Sequence, residues 1–371
     1  MHEKDFNLER YMSEGVEDIV RDLAKASLLH PSASRFMAKF ALASRRAAAR
    51  RHELELQGEH IPSFLIASIT SLCNLHCAGC YARSLDTCTD GEPVQQLTGE
   101  EWGRIFAEAV DLGISFILLA GGEPMVRRDV LEQAAKYPEI AFPIFTNGTM
   151  MNEAYLELLD KNRNLLPVIS MEGERLTTDQ RRGLGVYERL QKAMEELKKR
   201  RIVFGVSVTV TTANLGEVTS DAFLQTLRDA GCKAVIYVEF VPTAHDMDDL
   251  APDEACRQAL ADRILELRQS GDSLFYISFP GDELATDGCL AAGRGFFHIN
   301  SHGGAEPCPF SPYDVGNVAK TSLRQAMKSE LFRVLQNDGL LQGQHTGGCV
   351  LFEHRDKVET LWRAAQTAES D

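Results

Sequence analysis

From residue 63 onward, short apolar runs alternate with stretches whose apolar residues recur at helical spacing. The runs cover 64–69, 114–120, 140–145, 165–170, 202–210 and 235–241, and helical patterns fall near 98–112, 127–137, 152–162, 185–200, 217–230 and 253–270. Such alternation predicts parallel βαβ units, because two consecutive parallel strands need a crossover long enough to hold a helix. Six units in succession suit an open doubly wound sheet or a partial barrel. Upstream, Leu8, Tyr11, Met12, Val16, Ile19, Val20 and Leu23 predict an amphipathic helix over 7–23. Pro31 and its neighbouring serines break that pattern, and a second helix is predicted over about 33–54. Beyond 245 the rhythm ends in Asp246-Met247-Asp248-Asp249, a helical pattern near 253–270 and an apolar run at 274–279. Four parts are expected: an N-terminal helical segment (1–62), an α/β barrel-like domain (63–245), a linker helix and strand (246–280), and a small α+β C-terminal domain (281–371).

In parallel α/β architectures the working loops lie at the carboxyl ends of the strands. The second run is followed by Gly121-Gly122-Glu123-Pro124, the third ends in Thr146-Asn147-Gly148-Thr149, and the fourth in Ser170-Met171-Glu172-Gly173. The fifth carries Ser207 and Thr209 and runs out at Asn214, and the sixth ends in Glu239-Phe240-Val241-Pro242. One Gly-Gly-Glu-Pro is accounted for by a tight turn before a helix. Glycine and polar residues at the same end of every unit point to a shared ligand site.

The first run leads into Cys73-Asn74-Leu75-His76-Cys77-Ala78-Gly79-Cys80, a C-x3-C-x2-C motif. Three thiols in eight residues are too crowded for a paired disulfide framework, and the odd number leaves one over. Thiolates select zinc, copper(I) or iron–sulfur clusters over hard cations. Three protein ligands leave one coordination position open, and an open position is where metal chemistry happens. For the triad alone, a Cys3His zinc site completed by His76 is the structural alternative.

Taken with the six strand ends, residues 63–245 resemble the partial (β/α)6 barrel of the radical S-adenosylmethionine (radical SAM) superfamily. By that resemblance Cys73, Cys77 and Cys80 would hold a [4Fe–4S] cluster whose fourth iron is chelated by S-adenosylmethionine. Gly121, Gly122, Glu123 and Pro124 would receive its amino group, and Ser170 and Glu172 its ribose hydroxyls. Ser207 and Thr209 would contact the methionine carboxylate or ribose, and the backbone at Val241 and Pro242 would hold the adenine. The family commonly has an aromatic residue before the third cysteine, where this chain has Gly79, so Tyr81 is the expected substitute.

The tail carries Cys289, Gly303 and Cys308 as C-x13-G-x4-C, then Gly316-Asn317-Val318 and Gly347-Gly348-Cys349. This resembles the first half of the SPASM extension, which binds auxiliary iron–sulfur clusters. Its second half is depleted, with Thr346 where a C-x2-C partner would fall, so one auxiliary [4Fe–4S] cluster on Cys289, Cys308 and Cys349 is implied, as in the shortened twitch form. His298, His302, His345 and Cys88 are the choices for a fourth ligand, and the alternative is a site left open to substrate. Cys232 and Cys256 lie in helical patterns and are expected in the core, and Cys88 is the stray thiol nearest the triad.

Composition narrows the function classes. A net charge of −15 over 371 residues argues against a broad nucleic-acid surface, which needs clustered Lys and Arg. The acidic, polar start has no apolar signal-peptide core, no stretch approaches the ~18 apolar residues of a spanning helix, and reduced cysteines suit the cytoplasm. The second helix bears Arg35, Lys39, Arg45, Arg46, Arg50 and Arg51 opposite Phe36, Met37, Phe40 and Leu42. Packing on the barrel is the expected role of that helix, and contact of residues 33–52 with anionic lipid is the alternative. The resemblance implies reductive cleavage of S-adenosylmethionine to a 5′-deoxyadenosyl radical that abstracts hydrogen from a peptide, protein or small molecule, with a flavodoxin or ferredoxin as reductant. The alternatives are a lipid-modifying member of the same class and a non-enzymatic iron–sulfur or zinc protein.

Overall fold

A computed structural model describes residues 31–91, 95–243, 245–286, 288–342 and 348–368. The helix expected at 7–23, and the tail positions His345 and Thr346, lie outside the described residues. All six predicted strands are present: β1 (Phe64–Ser68), β2 (Phe116–Ala120), β3 (Phe142–Thr146), β4 (Leu165–Ser170), β5 (Gly205–Val210) and β6 (Ala234–Glu239). Each pairs in parallel with its sequence neighbour, Phe64 opposite Phe116, Phe142 opposite Leu165 and Ser170 opposite Ser207.

The sheet does not stop at six. β7 (Phe275–Phe279), expected to belong to a linker, pairs in parallel with β6 after the crossover helix Glu254–Gln269, so that segment is a seventh βα unit. At the opposite edge the tail returns as β8 (His298–Ile299), parallel to β1, and β9 (Ala305–Glu306), antiparallel to β8. The order is β7-β6-β5-β4-β3-β2-β1-β8-β9. The C-terminal segment is therefore stitched directly onto the edge of the sheet beside the cysteine motif. Local signals set the helices: Gly99–Leu112 starts at a reciprocal capping box between Thr98 and Glu101 and ends at Gly113 in the left-handed conformation.

The basic N-terminal helix, α1 (Pro31–Leu56), packs Met37 and Phe40 against Ala141, Phe116 and Leu166. Those residues stand at the starts of β2–β4, so α1 covers the end of the sheet opposite the cysteines. Two departures from its sequence pattern are clear. Leu42, expected on the apolar face, is 58% exposed, while Arg51, expected in water, is buried with Nη1 donating to the Gly113 carbonyl. No described helix is long and apolar enough to cross a membrane. A lipid-bound α1 would point the cysteine end away from the bilayer. Sedimentation with anionic vesicles at low salt is expected to leave the protein in the supernatant; salt-sensitive pelleting lost on deleting residues 1–52 would reverse this.

Candidate functional site

The loop after β1 is held from three sides. Asn147 Nδ2 donates to Asn74 Oδ1 at 2.8 Å, and Asn74 Nδ2 donates to Thr149 Oγ1 at 2.8 Å, tying the loop to the end of β3. Arg83 Nη2 donates to the Leu75 carbonyl at 2.8 Å. The Ala78 N–H donates to the Arg181 carbonyl at 2.8 Å, tying the loop to α2 (Arg175–Arg182), the helix after β4. Cys73, Cys77 and Cys80 are all half-buried. His76, which a zinc site would need, instead directs Nε2 at Asp90 at 3.0 Å and is exposed. Among the described residues, no three His, Cys, Asp or Glu side chains close on one metal ion. A cluster, in which each thiolate holds its own iron, does not ask for that.

Two residues outside the sequence motif touch the triad. Cys88 hydrogen-bonds Cys73, and that contact, with the Leu75 N–H and the charges of Arg83 and Arg182, holds the Cys73 thiol below the usual range against burial. Burial pushes Cys77 up, opposed by Arg182, whose Nη1 lies 3.9 Å from its Sγ. Arg182 Nε is buried with no hydrogen-bond partner. An unpaired buried donor beside three thiols fits a group that brings extra acceptor charge, as a sulfide-bearing cluster does.

The glycine motif serves the cysteine loop. A Cβ on Gly121, at φ +128°, would meet the Thr70 carbonyl oxygen at 2.2 Å, and one on Gly122 the Leu72 carbonyl oxygen at 2.1 Å. Glu123 is buried, accepting from Thr146 Oγ1 at 2.6 Å, the Asn147 N–H at 2.7 Å and the Met125 N–H at 3.0 Å. Burial pushes its pKa up to about 7 against those three donors. Its carboxylate thus braces β2 to β3, and Pro124 opens the following turn.

At β4 and β5 the predicted residues converge. Ser207 Oγ donates to Ser170 Oγ at 3.1 Å, and the Thr209 N–H donates to Glu172 Oε2 at 2.9 Å. Glu172 is 1% exposed and paired with Arg182 at 2.5 Å and Arg181 at 3.4 Å. No motif in the sequence singles these arginines out, and only the fold shows them wedged between Glu172 and the cysteine loop. Arg182→Met should lower stability by about 3 kcal/mol in a denaturant titration, since it removes the nearer partner of a buried carboxylate. Asn214 donates to the Glu172 and Thr209 carbonyls and locks the β5 end. Val241 is buried and Pro242 half-buried next to Phe240. A Cβ on Gly79 would lie 2.7 Å from the Phe240 ring, so the aromatic surface missing at Gly79 comes from the residue just after β6. Tyr81, the expected substitute, packs on Phe310 of the tail at 4.7 Å.

In the tail, Cys308 hydrogen-bonds Cys349, and Cys289 lies within electrostatic range of both. The Cys349 contact and burial hold Cys308 well above the usual thiol pKa, and burial does the same for Cys289. Cys289 and Cys308, both buried, ionise together only with metal charge to offset them. Ser311, one turn from Cys308, is buried with its Oγ unpartnered, a further donor at a site with three cysteines. Two of the proposed fourth ligands are engaged elsewhere: His298 with Glu306 and Ser68, and His302 with the Gln95 carbonyl. Cys88 belongs to the first site. Cys232 is buried as expected, but Cys256 sits on the first turn of its helix, half-exposed, and is not core.

A cavity of about 430 Å³ opens at the β1 edge of the sheet, where the loop that follows the cysteine motif meets the tail. Tyr81, adjoining Cys80, and Pro309, adjoining Cys308, both line it, with Gly121 and His298.

Sheet, strand-end loops and thiol clusters together define a cofactor-dependent α/β-barrel enzyme. The radical SAM superfamily model matches residues 67–230, and the SPASM model, an iron–sulfur cluster-binding domain, matches residues 289–349. The chain belongs to the radical SAM superfamily and carries a SPASM domain; its cofactors are a [4Fe–4S] cluster, S-adenosylmethionine and auxiliary iron–sulfur. It is 26% identical over 338 residues to the AdoMet-dependent heme synthase of Methanosarcina barkeri, covering 84% of this chain and 94% of that one. It is 27% identical over 321 residues to the mycofactocin maturase MftC of Mycolicibacterium smegmatis, covering 81% and 78%. In fold it is similar to Streptococcus suis SuiB bound to S-adenosylmethionine, with a TM-score of 0.61 at 18% identity over 75% of this chain and 68% of that one. The reading of a non-enzymatic metal protein is set aside, because these relatives are enzymes.

Proposed function

We propose that Cys73, Cys77 and Cys80 hold the cluster that binds S-adenosylmethionine, that Cys289, Cys308 and Cys349 hold one auxiliary [4Fe–4S] cluster, and that the substrate enters the cavity lined by Tyr81 and Pro309. With its cofactors bound, the first site supplies a 5′-deoxyadenosyl radical that abstracts hydrogen from the substrate. The chain's own residues do the positioning. Ser170, Ser207, Thr209 and the Glu172–Arg182 pair orient the cofactor's ribose and carboxylate, Gly121–Pro124 fix the loop that receives its amino group, and the backbone at Val241 and Pro242 takes the adenine. Arg182 offsets thiolate charge, and Tyr81 closes the wall toward the tail. The observation that carries this reading is that Tyr81, next to Cys80, and Pro309, next to Cys308, line one cavity.

The substrate is a peptide side chain or a small molecule of similar size, the reductant a flavodoxin or ferredoxin, and the compartment the cytoplasm. A peptide is supported by SuiB, a fold relative solved with its precursor peptide SuiA. Replacing Cys289, Cys308 and Cys349 together by alanine is expected to remove about half the iron, one cluster of two, while 5′-deoxyadenosine is still formed from S-adenosylmethionine and dithionite. Unchanged iron in that variant would make the tail a metal-free lid.

A further inference from the structure

One buried group in the cavity wall has no part in holding either cluster. His298 on β8 and Glu306 on β9 are cross-strand partners, each 4% exposed. His298 Nδ1 lies 2.6 Å from Glu306 Oε2, and Nε2 lies 2.7 Å from Ser68 Oγ at the carboxyl end of β1. The second carboxylate oxygen accepts from Asn300 Nδ2 at 2.7 Å. The Asn300 amide cannot be reversed without loss, because its Oδ1 already accepts the Gly304 and His302 N–H groups. Glu306 therefore faces a donor at one oxygen and His298 at the other. With Glu306 accepting at both oxygens, the hydrogen of this bond is carried by Nδ1 of the imidazole.

A neutral ring with its hydrogen on Nδ1 leaves Nε2 as an acceptor, and the Ser68 hydroxyl donates to it. The remaining lone pairs of Ser68 Oγ then accept from whatever enters the cavity, which Ser68, His298 and Glu306 all line. Asp86, His302 and Tyr81 are the other ionisable groups on that wall. Acidic groups and a spare acceptor disfavour a carboxylate and favour a ligand that brings a hydrogen.

We propose that Ser68, His298 and Glu306 form a proton relay that anchors a hydroxyl or amino group of the substrate and takes its proton. The substrate proton passes to Ser68 Oγ as the Ser68 proton passes to Nε2, and the resulting imidazolium is stabilised by Glu306. No redox equivalent is needed for this transfer. The inference rests on the cavity being the substrate site, as proposed above, and gives that site a chemical preference.

The test uses holoenzyme carrying isotope-labelled histidine, with ethanolamine as a donor-bearing probe and propionate as an acceptor-only one. NMR across neutral pH should show His298 with its hydrogen on Nδ1 at the alkaline end, and ethanolamine should shift the Nε2 resonance. Ser68→Ala should abolish that shift, and Glu306→Gln should redistribute the hydrogen between the ring nitrogens. His298→Phe should keep its iron and lose the response to ethanolamine; should it fail to fold, Ser68→Ala, which removes one hydroxyl, carries the test. A ring protonated on both nitrogens throughout would mean a structural ion pair and overturn the relay. A response to propionate alone, or to neither probe, would overturn it too, as would iron lost from a folded His298→Phe. Failure of the cysteine assignments would appear separately, as unchanged iron in the cysteine variants, and leaves the NMR outcome readable.

Discussion

Cys77→Ala is expected to abolish 5′-deoxyadenosine formation outright, not merely to slow it. The first site has three thiolates for four irons, so S-adenosylmethionine must supply the last position, and a cluster left with two protein ligands has two irons exposed. Cys77 is also the thiol that Arg182 Nη1 approaches at 3.9 Å, and its loss would remove that neighbour from a buried guanidinium paired with Glu172. Cys88 tests whether position or chemistry decides. It touches Cys73 rather than Cys77, so it is not placed to substitute for Cys77, and the Cys77→Ala, Cys88→Ala double variant should match the single one. The measurement is 5′-deoxyadenosine by chromatography after anaerobic reconstitution with dithionite and S-adenosylmethionine. Product from Cys77→Ala would remove the triad as the cluster site.

What the sequence shows and hides about this site follows from the range of the interactions. The strands were legible because each is an apolar run bounded by a polar or glycine-rich end, and the residues at those ends converge simply because parallel strands align their carboxyl termini. Ser170 and Ser207 meet for that reason. Arg181 and Arg182 were hidden in a strongly polar helix, whose pattern says nothing of the carboxylate that the next turn of the fold brings to them. The relay was hidden by distance: Ser68 and His298 are 230 residues apart and joined by a pairing of β1 with a two-residue strand. A strand that short has no period to read. The run at 274–279 was visible as a strand, but its partner was not, since apolar alternation carries no pairing information. Gly79 read as a missing aromatic; in the fold it is the space that Phe240 fills.

Gly122→Val is expected to be the most damaging substitution outside the cysteines. The sequence leaves two reasons for a glycine here, room for a ligand or room for a turn, and the fold favours the second. A Cβ at Gly122 would stand 2.1 Å from the Leu72 carbonyl oxygen, 2.4 Å from its carbon and 2.9 Å from the Cys73 nitrogen. All three are backbone atoms on the segment that delivers the first cysteine, and the Glu123 N–H donates to that same Leu72 carbonyl at 2.7 Å. No rotamer change relieves such a clash, so the loop must move or the barrel open. Overpacking of a rigid site costs about 1–3 kcal/mol or more, and even Gly122→Ala should show it. Iron content and cofactor binding should therefore fall together with thermal stability. Glu172→Gln should behave differently, keeping its iron while S-adenosylmethionine binds more weakly, because Glu172 lies on the β4–β5 side and ligates nothing. A stable, fully iron-loaded Gly122→Val that fails only to bind S-adenosylmethionine would show that the glycine makes room for the cofactor after all.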